Sequence, residues 1–294
     1  MKIRRIILKL TPNWAVQLAT DLRCLLRCSV ICRQIPYQKA TNKPALIVAP
    51  HPDDETFSCG GLIKLKRDAG VAVRVVMLTD GEAVGSGHGE RPETVIAARK
   101  REALNACQRL GVAADSVCWL HLADGKLPHP DQPGFDEAAL VLLSEIKAFA
   151  SGEIYCPHLQ DVHSDHIAAT RLTHEALRLW SRPCAVFYYP VWMWYHASSG
   201  LRKRLNTTGA WRLDISAVQN DKEHAMTAYL DAPKTPEGNP YCGRLPWSFL
   251  RVFRRKYEVY FPATADGGLR TDSGGRRAEI GSQTADGGRR RLDR

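Results

Sequence analysis

Leu46-Ile47-Val48-Ala49-Pro50-His51-Pro52-Asp53-Asp54-Glu55 sets an apolar run against a histidine and two adjacent carboxylates. The apolar half suits a buried strand that stops at Pro50. Charged groups rarely gather at the end of such a strand without a partner, because burying them unpaired is costly. A divalent cation is an economical partner for one imidazole and one carboxylate. The second carboxylate is then free to act as a base.

A second cluster repeats the arrangement. Glu153-Ile154-Tyr155-Cys156-Pro157 reads as another short strand, opening into the polar loop His158-Leu159-Gln160-Asp161-Val162-His163-Ser164-Asp165-His166. Apolar positions from Ile167 to Leu179 then recur at helical spacing. Both clusters sit at strand-to-helix junctions, and open α/β sheets bind ligands outside the carboxyl ends of their strands. His51 and Asp54 can turn toward one point, where His166 supplies a third ligand. Two histidines and a carboxylate leave an open coordination position, the pattern of a catalytic rather than a structural zinc site. A water on such an ion has its pKa lowered to about 7. Asp53, on the same turn, is placed to take its proton as general base. His163 as an imidazolium would stabilise an oxyanion and protonate a leaving amine, with Asp165 holding the ring and favouring its charged form.

Each residue also has an ordinary reading. An Asp-Asp pair after a strand often caps a helix, and Asp161 or Asp165 would do the same for the next one. His163 alone is an ordinary loop histidine, and Arg99-Lys100-Arg101 alone a solvated helix face. Their joint occurrence, in this order and at matching junctions, favours one shared site.

The 294 residues allow one large α/β domain with appendages. Strand-like runs at Leu46–Ala49, Val71–Leu78, Val117–Leu120, Glu153–Cys156 and Val186–Tyr189 alternate with helical stretches. The helices are placed at Thr56–Asp68, Pro92–Leu110, Asp136–Ala150 and Asp165–Trp180. The alternation predicts an α/β fold: a doubly wound, mostly parallel sheet with helices on both faces. Nine cysteines show no CxxC pairing, and Cys24, Cys28 and Cys32 recur at i, i+4, i+8 in an apolar stretch. They read as small hydrophobes in a reducing compartment, which makes a cytoplasmic location the default.

The net charge of +10 belongs to the chain ends. Residues 1–44 carry nine Lys/Arg against Asp21 alone, and residues 45–263 balance. The charged start Met1–Leu10 breaks at Lys9, Pro12 and Asn13 without a small-residue cleavage site, so it is not read as a signal peptide. Trp14 to Val30 reads as a basic amphipathic helix. It either rests on an anionic membrane surface, making residues 1–33 a peripheral contact, or packs on the domain edge with its arginines in water. The tail 263–294 is rich in Gly and Arg, repeats Thr-Ala-Asp-Gly-Gly at residues 264 and 284, and is expected to be disordered. It has no interleaved aromatics for nucleic acid, and none is expected as a partner. The domains are therefore 1–44, 45–262 and 263–294. Oligomeric state and strand order are left open.

The loop Ala83–Glu90 is glycine-rich but lacks the lysine-serine pair of a phosphate cradle, so it reads as a lid beside the pocket. Tyr188-Tyr189-Pro190-Val191-Trp192-Met193-Trp194-Tyr195 offers aromatic faces for sugar rings, for a membrane interface, or for ordinary core packing.

His51-Pro52-Asp53-Asp54-Glu55 with Gly60-Gly61 resembles the hallmark motif of the PIG-L/LmbE-like deacetylases. The similarity extends through Leu78-Thr79-Asp80-Gly81-Glu82, Arg99 and Glu102, Leu110-Gly111-Val112 and His163-Ser164-Asp165-His166, over roughly Ala45 to Thr170. Ser164 stands where the family usually has proline. The resemblance implies a Rossmann-like fold and a hydrolase of linear amides, usually with Zn²⁺, that removes acetyl from N-acetylglucosamine units. It implies His51, Asp54 and His166 as metal ligands, Asp53 as base and His163 as the electrophilic partner. It also implies Arg99 and Asp124 as contacts to sugar hydroxyls.

A zinc-dependent N-deacetylase of a glycan, glycolipid or glycoconjugate is the reading adopted. The alternatives are a deacylase of a small soluble conjugate, such as a thiol or antibiotic precursor, and a non-catalytic glycan- or membrane-binding relative. A further rival binds Fe²⁺ in the same two-His-one-carboxylate set for oxygen chemistry, which would need no base like Asp53.

Overall fold

Strand and helix alternate along the chain. The computed structural model describes residues 13–85, 90–180, 182–196, 205–231, 235, 238, 240–243 and 245–263. The elements run α1 (Asn13–Cys32), β1 (Tyr37–Gln38), β2 (Ala45–Ala49), α2 (Asp54–Asp68), β3 (Val73–Thr79) and α3 (Pro92–Arg109). They continue with β4 (Val117–Leu122), α4 (Phe135–Phe149), β5 (Glu153–Pro157), α5 (Ser164–Trp180), β6 (Ala185–Tyr189) and α6 (Met193–His196). The last are β7 (Trp211–Asp214), α7 (Gln219–Leu230), α8 (Trp247–Phe253) and β8 (Tyr257–Pro262). The charged start Met1–Leu10, the tip of the glycine-rich loop at 86–89 and the tail from 264 lie outside the described residues.

β2 is buried along its whole length, as a strand covered on both faces must be. Its alternate residues feed two cores. Leu46 and Val48 join Val76, Leu78, Ile154 and Cys156 under α1, α4 and α5. Ala45, Ile47 and Ala49 join Val75, Met77 and Tyr155 under α2, α3, α7 and α8. That period of two places helices on both faces, as the alternation predicts.

The strand order is β1-β7-β8-β6-β5-β2-β3-β4. β4, β3, β2, β5 and β6 are mutually parallel, and β8 pairs antiparallel with both β6 and β7. The chain winds outward from β2 through β3 to β4, then returns so that β5 pairs with the other edge of β2. The register there is Ala45↔Glu153, Leu46↔Ile154 and Ile47↔Tyr155. The reversal makes β2/β5 the topological switch point, where such sheets open a crevice. Both histidine-acid loops leave the sheet there.

α2 is pinned in mid-helix by Glu258 of β8. The Glu258 carboxylate accepts the amide N–H groups of Gly61 (2.7 Å) and Leu62 (2.8 Å) and pairs with Lys222 Nζ at 2.7 Å. Both charged side chains are buried, so each depends on the other. A Cβ at Gly61 would fall 2.5 Å from Ile215, so only glycine lets α2 pack this closely on the residue that follows β7. Anchored there, α2 carries Asp54 in a fixed first turn.

α1 is part of the fold rather than a separate segment. Cys24, Cys28, Ile31 and Cys32 lie in the core, and the buried Asp21 accepts the Ser248 hydroxyl of α8. All nine cysteines are free thiols. Among the described residues, no helix is long and apolar enough to cross a membrane.

Candidate metal centre and pocket

β2 ends at Ala49 and α2 begins at Asp54, so the four residues from Pro50 to Asp53 must reverse the chain in a tight turn. Asp53 takes the strain, with φ 129°. It occupies the N-cap position, yet its side chain makes no capping bond. Its carbonyl oxygen accepts the N–H groups of Thr56 and Phe57, while its own N–H donates to Glu55 Oε2 at 3.0 Å. Glu55 is fully buried and accepts the Tyr229 hydroxyl at 2.6 Å. The capping reading of the Asp-Asp pair therefore fails for the Asp53 carboxylate, which is left for the pocket.

Asp54 Oδ2 lies 3.2 Å from His51 Nδ1 and 3.3 Å from His166 Nε2. Ligands held at 2.0–2.1 Å around a tetrahedral ion are about 3.4 Å apart, so these spacings match the edges of such a site. The far nitrogen of each ring also meets a carboxylate. His51 Nε2 is 3.1 Å from Asp165 Oδ2 and 3.2 Å from Asp124 Oδ1, and His166 Nδ1 faces Asp161 Oδ1 at 3.4 Å. Metal-binding histidines are commonly oriented in this way. Asp165 is fixed by the N–H groups of Gly125 (2.7 Å) and Leu127 (3.3 Å), and Asp161 by those of Val191 (3.0 Å) and Trp192 (2.8 Å).

The electrostatics fit a cation. Burial would lower the pKa of both rings. Asp124, Asp165 and Asp54 nonetheless hold His51 well above its ordinary value, and Asp54 and Asp161 lift His166 to about 9. Burial would raise Asp54, but His166 and His51 hold it far below the carboxylate range. The pocket thus calls for two positive charges at this point, as two imidazolium rings or as one divalent ion between neutral ones. Burial pushes the Asp53 carboxyl up to about 7, with Arg99 opposing and Asp54 adding to the rise. A carboxylate so poised accepts protons readily.

One expectation needs correction. Asp165 does not hold the ring of His163; its carboxylate turns to His51, and only its backbone N–H reaches His163 Nδ1, at 3.3 Å. The reason is that α5 starts at Ser164, and residues two apart across a helix start face different ways. Burial, with His166 and His51 nearby, lowers the His163 pKa, and the Asp165 N–H on Nδ1 leaves Nε2 to carry the proton of the neutral ring. Arg99 lines the cavity but is 1% exposed, and its guanidinium is turned to Asp53. Its Nη2 donates to Pro52 O and to Asp53 Oδ2 (3.2 Å), and its Nη1 to Glu102 Oε2 (3.3 Å). Gly81, at φ +72°, makes room for it, since a Cβ there would lie 2.9 Å from Arg99 Nε.

Asp124 does reach the pocket, held by the Ala83 N–H at 2.8 Å. The cavity is about 520 Å³. One side is the polar floor just described; the other is walled by Phe57, Val162, Val191, Trp192, Leu245 and Phe249. Trp192 and Phe249 pack with ring centroids 4.2 Å apart. Of the aromatic stretch, Tyr188 and Tyr189 are core residues, and Trp192 supplies the wall. Sequence reasoning passed over Asp161 and Glu55. Asp161 had a signal, being a third acid in the same polar loop. Phe249 had none, as it arrives from a distant helix.

Residues 46–177 match the protein family described as PIG-L: GlcNAc-PI de-N-acetylase. The "Probable N-acetyl-alpha-D-glucosaminyl L-malate deacetylase 2" of Bacillus subtilis is 30% identical over 136 residues, 45% of this chain and 59% of its own. The 4-oxalmesaconate hydratase of Pseudomonas putida is 31% identical over 152 residues, 49% of this chain and 55% of its own. The chain thus spans less than two thirds of the length of these relatives. N,N'-diacetylchitobiose deacetylase of Pyrococcus horikoshii shares the fold, with a TM-score of 0.57 at 20% identity over 77% of this chain and 84% of that one.

Proposed function

From residues 46–177, which match the family described as PIG-L: GlcNAc-PI de-N-acetylase, we propose a metal-dependent hydrolase that removes acetyl from an N-acetylglucosamine-type amino sugar. One observation carries this reading. The Asp53 carboxylate, uncommitted to capping, lines the cavity beside the donor set His51, Asp54 and His166. Those three would hold the ion, with zinc the usual metal for such a set and Fe²⁺ another that it accepts. When bound, the ion would polarise the amide carbonyl and acidify a water.

The chain's own groups do the rest. Asp53 takes a proton from the water as the oxygen bonds to the acetamide carbon, and Arg99 keeps that carboxylate aimed. His163, neutral with its proton on Nε2, donates a hydrogen bond to the developing oxyanion. As the C–N bond breaks, the proton held by Asp53 passes to the departing nitrogen, leaving acetate and a free amino sugar. The apolar wall of Trp192, Phe249 and Leu245 would carry the sugar's apolar face or an apolar aglycone.

Asp165 and Asp161 orient the two histidines. Asp165→Asn is expected to weaken metal binding about 10–100-fold while changing turnover per bound ion little. Metal titration followed by rate measurement at full occupancy checks this; an unchanged affinity with lost turnover would return Asp165 to His163.

The hydratase relative shows that likeness to the family leaves the reaction type open. Product analysis tests the proposal. Incubation with N-acetylglucosamine conjugates is expected to give acetate and primary amine in equal amounts. Addition of water without release of acetate, from an unsaturated acid, would overturn it.

A further inference from the structure

α1 has two sides of different character. Its inner side is the core face of Cys24, Cys28, Ile31 and Cys32. Its outer side presents Leu18, Leu22 and Leu26, which are 44%, 56% and 66% exposed and stack at i, i+4, i+8, with the exposed Ala19 beside them. Three exposed leucines in one stripe are not the scattered surface hydrophobes of an ordinary protein.

The charge around the stripe has one sign. The helix's single acid, Asp21, is turned inward to Ser248 and is 1% exposed. Arg23 and Arg33 are exposed on the helix and just after it, and residues 1–44 hold nine basic residues in all. A protein partner for an apolar stripe would ordinarily meet a rim of both signs. An apolar face whose exposed charges on the described helix are cationic complements a surface that is apolar within and anionic at its boundary.

α8 links α1 to the pocket through three consecutive residues. Trp247 is 51% exposed, Ser248 bonds to α1, and Phe249 lines the cavity. Tryptophan is the residue that settles at a membrane boundary. We propose that the outer face of α1, with Trp247, is a docking surface for an anionic lipid bilayer, on which the protein lies peripherally. The surface stands independently of the reaction at the pocket.

The test is co-sedimentation of the full-length protein with vesicles of phosphatidylcholine, alone or with about one third phosphatidylglycerol. The protein is expected to bind the anionic vesicles, to bind the neutral ones weakly, and to be released by salt. Replacing Leu18, Leu22 and Leu26 together by Gln is expected to lower partitioning about tenfold or more, with melting temperature and metal content unchanged. Arg23→Glu is expected to weaken binding to anionic vesicles alone. Failure of the wild-type protein to bind anionic vesicles would overturn the proposal, as would a triple variant that binds equally well. So would a wild-type dimer, silent toward both vesicles, that the triple substitution converts to monomer, since the stripe would then join two copies of the chain.

Discussion

Asp53→Asn is expected to lower turnover by about 10²- to 10⁴-fold, the usual contribution of a general base, while the protein retains its metal. The substitution is chosen for what it preserves. Asn tolerates positive φ better than most residues, so the turn at φ 129° survives. Its amide oxygen can still accept from Arg99 Nη2, which now lies 3.2 Å from Asp53 Oδ2. Only the capacity to take a proton is removed. The Asp53 carboxylate is hydrogen-bonded to Arg99, and it is not one of the three proposed ligands His51, Asp54 and His166, so metal content measured beside acetate release should match wild type. A variant that loses its metal would contradict the division of labour between the two adjacent carboxylates.

Asp54→Ala is expected to do the opposite, abolishing metal binding and activity together. Its Oδ2 is the one atom that meets His51 Nδ1, His166 Nε2 and the His51 backbone N–H, and the residue is 2% exposed. Changes to groups that only orient metal ligands cost about 10–100-fold in affinity, so removing a ligand should cost more than 10²-fold. Metal analysis of the purified variant checks this. Full metal content would move the ion away from Asp54, toward the neighbouring set of His51, Asp124 and Asp165. The pair of variants separates base from ligand at two consecutive residues.

How much of this was legible depended on range. The strands at Leu46–Ala49 and Glu153–Cys156 and the four long helices could be read because each is a sustained local pattern, and their boundaries differ from the structure by a few residues at most. Both histidine-acid loops could be placed at strand ends for the same reason. That they share one crevice follows from β5 pairing with β2, a long-range event with no local mark. β7 and β8 were not anticipated. One is four residues long, and the other carries Glu258, which reads as a surface residue until Lys222 is brought to it from α7. Within the site, the nomination of His51, Asp53, Asp54 and His166 was legible from residue type and spacing. Side-chain direction was not. Asp165 turns to His51 because of where α5 begins, and the Arg99 guanidinium turns to Asp53 where Gly81 leaves it space.

The most direct measurement is a titration of Zn²⁺ into chelator-treated protein, followed by acetate release from an N-acetylglucosamine conjugate. The expected result is no release from the stripped protein, then a rate that rises to a plateau at about one equivalent of metal, with Asp53→Asn flat throughout. Full activity in the stripped protein, or a rate indifferent to added metal, would contradict a reaction built on His51, Asp54 and His166.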